Sequence, residues 1–137
     1  SWSWSEATYE SKAFQYWAPK DLLAIPLSTY RYNSWTDVNG GYHWSYQYVS
    51  KLILVNVSED TGNLSVHGTV DHSDLYDRSD NTNWWNEFNI RRSIFMGDYV
   101  YALSSSGVTS TNLTSMEESA SIELAYMNPY QSYYSYE

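Results

Sequence analysis

One segment of this sequence occurs twice, and that repeat constrains the fold more than any other feature. Asp21-Leu22-Leu23-Ala24-Ile25-Pro26-Leu27-Ser28 reads against Asp98-Tyr99-Val100-Tyr101-Ala102-Leu103-Ser104. Each copy sits in the same order of short apolar runs. Phe14 to Trp17 precedes the first and Ile94 to Met96 the second; Lys51 to Val57 and Asn63 to Val70 follow the first, Val108 to Leu113 and Glu118 to Leu124 the second. The pattern predicts two units of four short strands. Hairpin signals lie where such units need them: Glu59-Asp60-Thr61-Gly62 and Met96-Gly97-Asp98 carry the Gly and Asp that tight turns use, and Ala18-Pro19-Lys20-Asp21 takes the corresponding place in the first unit.

The faces of these strands say how the units are packed. Leu22, Ala24 and Pro26 alternate with Leu23, Ile25 and Leu27, and Leu52 and Leu54 alternate with Ile53, Val55 and Val57, so both sides are apolar. A strand apolar on both sides is covered on both. The last run of each unit instead alternates apolar and polar residues, as a half-solvated outer strand does. Two unrelated meanders in a small sandwich would alternate in every strand. The expectation is therefore an all-β chain of two four-stranded antiparallel blades stacked face to face. Closing a β-propeller takes roughly four to eight blades, so the two blades are expected to form part of a larger propeller.

The boundaries follow from the same reading: an aromatic N-terminal tail over 1–13, a blade over 14–70 with an insertion at 31–48, an acidic and aromatic connection over 71–89, a second blade over 90–124, and a Tyr-rich tail over 125–137. The insertion and the connection are the long loops of this scheme. Loops of that length in a compact fold are functional or disordered.

Composition narrows the partners. Fifteen Tyr and seven Trp against three Phe favour rings with a polar handle, which suit contact surfaces better than a dry interior. With 7 Lys plus Arg against 16 Asp plus Glu, the net charge of −9 repels polyphosphate and argues against nucleic acid. Cysteine is absent, which removes disulfides, thiol nucleophiles and Cys-based zinc sites. The longest apolar run, Leu52-Ile53-Leu54-Val55, is far short of the ~20 residues of a membrane helix, so no membrane span is expected. The chain opens on Ser1 rather than Met, which allows a removed secretion signal.

Three groups of residues are candidates for function. Trp35, Tyr42, His43, Trp44, Tyr46 and Tyr48 crowd the insertion, and Trp84 and Trp85 stand in the connection. Trp35, Tyr42, Trp44, Tyr46, Trp84 and Trp85 are the expected ligand or partner contacts. Asp71, Asp74, Asp77 and Asp80 recur every third residue and offer the hard oxygen ligands that calcium prefers. Their spacing is not that of an EF-hand, and a solvated acidic connection accounts for the same residues. Asn56, Asn63 and Asn112 each open an Asn-x-Ser/Thr acceptor for N-glycosylation, with Asn63 best placed beside a turn. An enzyme is not expected. His43, His67 and His72 are the only imidazoles, and in Asp71-His72-Ser73-Asp74 neighbours on an extended chain point apart rather than forming a relay.

Tyr16-Trp17-Ala18-Pro19-Lys20-Asp21-Leu22-Leu23-Ala24-Ile25-Pro26, Ile90-Arg91-Arg92-Ser93-Ile94-Phe95-Met96-Gly97-Asp98-Tyr99-Val100-Tyr101-Ala102-Leu103-Ser104 and the closing Ile122-Glu123-Leu124 carry a family resemblance. The sequence resembles, over about residues 14 to 124, secreted archaeal and bacterial proteins with a C-terminal β-propeller distantly related to WD40 repeats. The resemblance implies an extracellular or cell-surface setting, a fragment of a longer chain and no catalytic residues. The partners expected are the remaining blades or other subunits of a larger assembly. The functional expectation is a non-catalytic scaffold or protein-interaction module. The alternative is a polysaccharide-binding module using the Trp/Tyr-rich loops. The scaffold reading is preferred because Tyr and Trp also run through both tails, where a sugar pocket gives no reason for them.

Overall fold

The computed structural model describes residues 3–75 and 89–124. Among the described residues nine strands lie in two antiparallel sheets, accompanied by tight turns and single 3-10 turns, with no α-helix. The first sheet holds β1 (Ser3–Trp4), β2 (Gln15–Trp17), β3 (Leu22–Thr36), β4 (Tyr42–Val57) and β5 (Leu64–Asp71). The second holds β6 (Arg92–Met96), β7 (Tyr99–Leu103), β8 (Gly107–Asn112) and β9 (Glu118–Glu123), paired in chain order.

Although five strands make up the first sheet, they fill four positions. β1 and β2 both pair with the same edge of β3, β2 against Leu22 to Ala24 and β1 against Ser28 and Thr29. Pro26 lies in the gap between them. It has no N–H to donate, so a mid-strand proline is tolerated where no partner strand runs alongside. Its carbonyl accepts instead from the Ser5 hydroxyl. Residues 3–13, read from the sequence as a tail, thus complete the blade edge, and Ala13 is fully buried there. A two-residue strand is too short to carry a readable alternation.

The repeat is structural as well as textual. The Asp21 carbonyl accepts the Val57 N–H at 2.8 Å, and the Asp98 carbonyl accepts the Leu113 N–H at 2.8 Å. In both sheets the register shifts between the third and fourth strands, at Leu54/Val55 and at Ser110/Thr111.

One core lies between the sheets. Leu22, Ala24, Leu52, Leu54 and Val70 enter it from one side, Phe95, Val100, Ala102 and Leu113 from the other, with Ile90 beside them. Full burial of a side chain such as Leu54 stabilises by about 1.5–3 kcal/mol. Trp17 stacks on Phe95 at 5.8 Å between ring centres, joining the innermost strands of the two blades. By the alignment of the repeats Leu22 and Ala24 correspond to Tyr99 and Tyr101, yet the second sheet contributes Val100 and Ala102 to the interface. The front of one blade therefore meets the back of the next. Such head-to-tail packing is the stacking of a propeller, whereas two copies closed as a sandwich about a twofold axis would bring equivalent faces together.

Head-to-tail stacking leaves two outer apolar faces. Leu23, Ile25, Leu27, Ile53 and Val55 lie on one, and Ile94, Met96, Tyr99, Tyr101 and Leu103 on the other. The outer strands are wetter than their alternation implies. Leu64, Val66 and Ile122 are all more than half exposed, and every residue of β9 is exposed. In β5 the bulge next to Gly68 explains this: it turns Val66 to the outer face, against Val55, while Val70 stays on the core face against Leu52.

Candidate functional site: an aromatic β-ribbon

Residues 31–48, inserted in the first blade, are strand rather than loop. β3 and β4 continue past the sheet, and residues 30–36 and 42–48 pair only with each other among the described strands. They form a two-stranded ribbon that projects roughly 23 Å from the blade. The ribbon closes over Asp37 to Gly41, where the Asp37 N–H donates to the Gly41 carbonyl at 2.9 Å and the Gly40 N–H to the Asp37 carbonyl at 3.1 Å. Val38 at the tip is fully exposed.

Register sorts the aromatic residues into two different surfaces. Cross-strand partners share a face, and successive residues alternate. Tyr30 faces Tyr48, Tyr32 faces Tyr46, Ser34 faces Trp44 and Thr36 faces Tyr42, which puts six rings and no charged side chain on the even-numbered face. Trp35 faces His43 on the odd-numbered face, with Arg31, Asn33, Ser45 and Gln47. The sequence groups Trp35 with Tyr42, Trp44 and Tyr46; the ribbon separates it from them.

On the even face the rings pack edge to face rather than as a flat plate. Tyr30 and Tyr48 lie 5.1 Å apart at 65°, Tyr32 and Tyr46 5.4 Å at 57°, and Trp44 and Tyr46 5.8 Å at 72°. Each such pair adds about 0.5–1.5 kcal/mol to area burial, which helps hold a ribbon that would be marginal alone. The Tyr32 and Tyr42 hydroxyls share a hydrogen bond of 2.8 Å. Tyr42 is held below the usual phenol value by its bonds to Ser34 and then Tyr32, and Tyr32 is raised above it by the bond to Tyr42. Trp44 and Tyr46 remain 60% and 62% exposed. At the base, Trp4 Nε1 donates to the Tyr48 hydroxyl at 3.1 Å, tying the ribbon to β1. This face continues the core face of the blade, since Leu22, Ala24 and Ser28 precede Tyr30 and Tyr32 on the same side of β3. Tyr30 and Tyr32 belong to it although the sequence reading passed over them; the alternation of Tyr30, Tyr32 and of Tyr42, Trp44, Tyr46, Tyr48 is the signal that finds them.

The odd face is organised around a fixed carboxylate. Asp37 Oδ1 accepts the N–H groups of Asn39 and Gly41 at 2.9 and 2.8 Å, and Oδ2 bonds His43 Nε2 at 2.7 Å. The His43 bond, then the two backbone N–H groups, hold this carboxyl below its ordinary value. A Cβ on Gly41 would lie 2.8 Å from Oδ2, so glycine there makes room for the carboxylate. The His43 ring stacks on Trp35 at 5.5 Å and 18°.

The remaining candidates lie apart from the ribbon tip. Asp71 Oδ1 accepts from the Ser73 N–H at 2.9 Å and from its hydroxyl, while Oδ2 stands 3.5 Å from Lys51 Nζ and 3.7 Å from Arg31. Burial raises this carboxyl, but the Ser73 bonds and the Lys51 charge outweigh it and leave the carboxyl lowered. Asp71 is thus already held by two cations. The Asp74 side chain, Asp77, Asp80, Trp84 and Trp85 lie outside the described residues, and no group of three His, Asp or Glu among the described residues is placed to hold a metal. Of the acceptor asparagines, Asn56 donates its amide to Ser65 across the sheet at 3.3 Å. The Asn112 carbonyl oxygen caps the β8–β9 turn through Thr114 and Ser115, whereas Asn63 is exposed beside its turn.

Each histidine has a structural bond. His43 meets Asp37, His67 the Leu113 carbonyl at 2.6 Å, and His72 the Thr109 hydroxyl at 2.8 Å. His72 is fully buried between the blades while its neighbour Asp71 turns outward, so the two point apart as extended neighbours do. Among the described residues no helix is long and apolar enough to cross a membrane. No curated protein and no solved structure matches the chain. The beta propeller domain family matches residues 1–116, which spans both blades through β8. Repeat, head-to-tail stacking and family match agree, and the chain belongs to the beta propeller domain family.

Proposed function

We propose that this chain is a non-catalytic interaction scaffold, working outside the cell or on its surface, in which the propeller carries the aromatic ribbon as its contact arm. The observation that carries this reading is the even face of the ribbon: six rings without a charged side chain, three of them 60–64% exposed, on an arm standing clear of the blade in a chain of net charge −9. Depletion of charge with enrichment of Tyr and Trp marks the centre of protein interfaces. The structural bonds of all three histidines support a non-catalytic role. The resemblance to secreted archaeal and bacterial propellers related to WD40 repeats, together with the exposed Asn63 acceptor, supports the extracellular setting. The two outer apolar faces support a second element of the proposal, that further blades or another subunit cover them. Neither nucleic acid nor a membrane span belongs to the reading.

The experiment is site-specific photocrosslinking in the native host, with the crosslinking residue at Tyr46 and, as control, at Glu118 on the outer strand. A discrete protein adduct from Tyr46 alone, lost on Trp44→Glu, supports the contact arm. Absence of any protein adduct at Tyr46 overturns it.

A further inference from the structure

We propose that the odd-numbered face of the ribbon is a second binding surface, a shallow site for a neutral saccharide chain stacked on Trp35. Trp35 is 52% exposed. One side of its indole is occupied by the parallel His43 ring, so the opposite side is a flat apolar plate open to a ligand. That plate is set before any ligand arrives: two backbone N–H groups fix Asp37, Asp37 fixes His43, and His43 fixes Trp35. The chain of contacts orders an exposed ring that covers no core, and preorganisation of this kind lowers the ordering cost of binding.

The flanking groups select the ligand chemistry. Asn33 follows Trp35 down β3, Ser45 stands opposite Asn33, and Gln47 follows down β4. All three are half-buried, and no hydrogen bond to their side chains occurs among the described residues. A ring that takes the apolar face of a pyranose, beside neutral amides and a hydroxyl that pair with sugar hydroxyls, is the combination that orients such ligands. Charge rules against a polyanion. Arg31 is turned to Asp71 at 3.7 Å, the Asp37 carboxylate stands beside the site bonded to His43, and the chain carries −9. The even face has hydroxyls of its own on its tyrosines, Ser34 and Thr36, but its rings stand edge to face and offer no flat plate. The two surfaces are independent, so the saccharide site stands or falls separately from the protein contact.

The test is calorimetry and tryptophan fluorescence on the full-length protein with cellohexaose, mannohexaose and chitohexaose, and hyaluronan hexasaccharide as the anionic control. At least one neutral hexasaccharide binds with Kd below about 1 mM. Trp35→Ala weakens it about tenfold or more, Trp35→Phe by no more than about threefold because a ring remains, and Glu118→Gln on the outer strand of the second blade leaves it unchanged. Asp37→Ala, acting through His43, weakens binding without moving the fluorescence change at saturation. No binding by any neutral probe at 10 mM (roughly the weakest affinity worth the name), preference for hyaluronan, or equal binding by wild type and Trp35→Ala overturns the proposal.

Discussion

Acid should loosen the seam between the blades through His72. Its imidazole is fully buried, with Nε2 bonded to Thr109 of the second blade at 2.8 Å and Nδ1 without a partner, while the His72 backbone N–H donates to the Ser50 carbonyl. Burial pushes the ring down to about 4, against the 6.5 of a free imidazole, and the negative charge of Asp71 offsets only part of that. The unfolded chain therefore binds a proton that the folded one refuses between these two values. Stability is complete above pH 6.5, falls as pH drops toward 4, and falls no further from this group below that. The loss comes to about 2 kcal/mol at pH 5 and about 3 kcal/mol at pH 4. Asp71 acts in a separate window. Its lowered carboxyl contributes stability above its unfolded value that is lost only in stronger acid, as pH falls through the folded value. The assay is urea unfolding followed by tryptophan fluorescence from pH 7.5 to 4, on wild type and on His72→Gln, whose amide reaches Thr109 without titrating. His43 and His67 are common to both proteins and cancel in the comparison. The variant should show a flatter profile by about 3 kcal/mol over that range. Parallel profiles would refute the reasoning.

Three further outcomes are expected. Gly107→Ala places a Cβ 2.7 Å from the Ile122 carbonyl oxygen and 2.9 Å from Leu75 Cδ1, so it should destabilise by about 1–3 kcal/mol in the same unfolding assay. Lys20→Ala removes a 2.8 Å ion pair with Asp98 that links two surface turns, yet the pair is exposed, so the unfolding midpoint should move little and the difference should vanish in high salt. The 137-residue chain on its own should self-associate in sedimentation at micromolar concentration through its outer blade faces, and Ile25→Lys with Ile94→Lys should shift it toward monomer.

The strand order within each blade and the two-sided apolar character of the inner strands were legible in the sequence, because a strand's side-chain period of two writes burial directly into residue order; the extra edge strand β1 was not. Leu22, Leu52 and Leu54 could be read as covered from that period alone, and Gly97 and Gly62 marked the turns. Nothing in the order of residues told which face of the second copy would meet the first: Tyr101 and Ala102 are both plausible in a core, and only the rotation between stacked blades selected Ala102. The ribbon was half legible. Its aromatic residues stood out, but a run rich in Tyr, Ser and Asn reads as loop when a strand is expected to be apolar on a covered face, and this strand is uncovered. Assigning Trp35 and Trp44 to opposite surfaces required the pairing register, fixed at the Asp37 to Gly41 turn, and a shift of one residue there would have set Trp35 opposite Trp44 on one face. Likewise, the sequence placed Asp71 in an acidic row, while its partners Lys51 and Arg31 came from distant strands that only the folded sheet brings within reach. Local periodicity determined what each segment could become; long-range packing decided which faces met and which stayed free to bind.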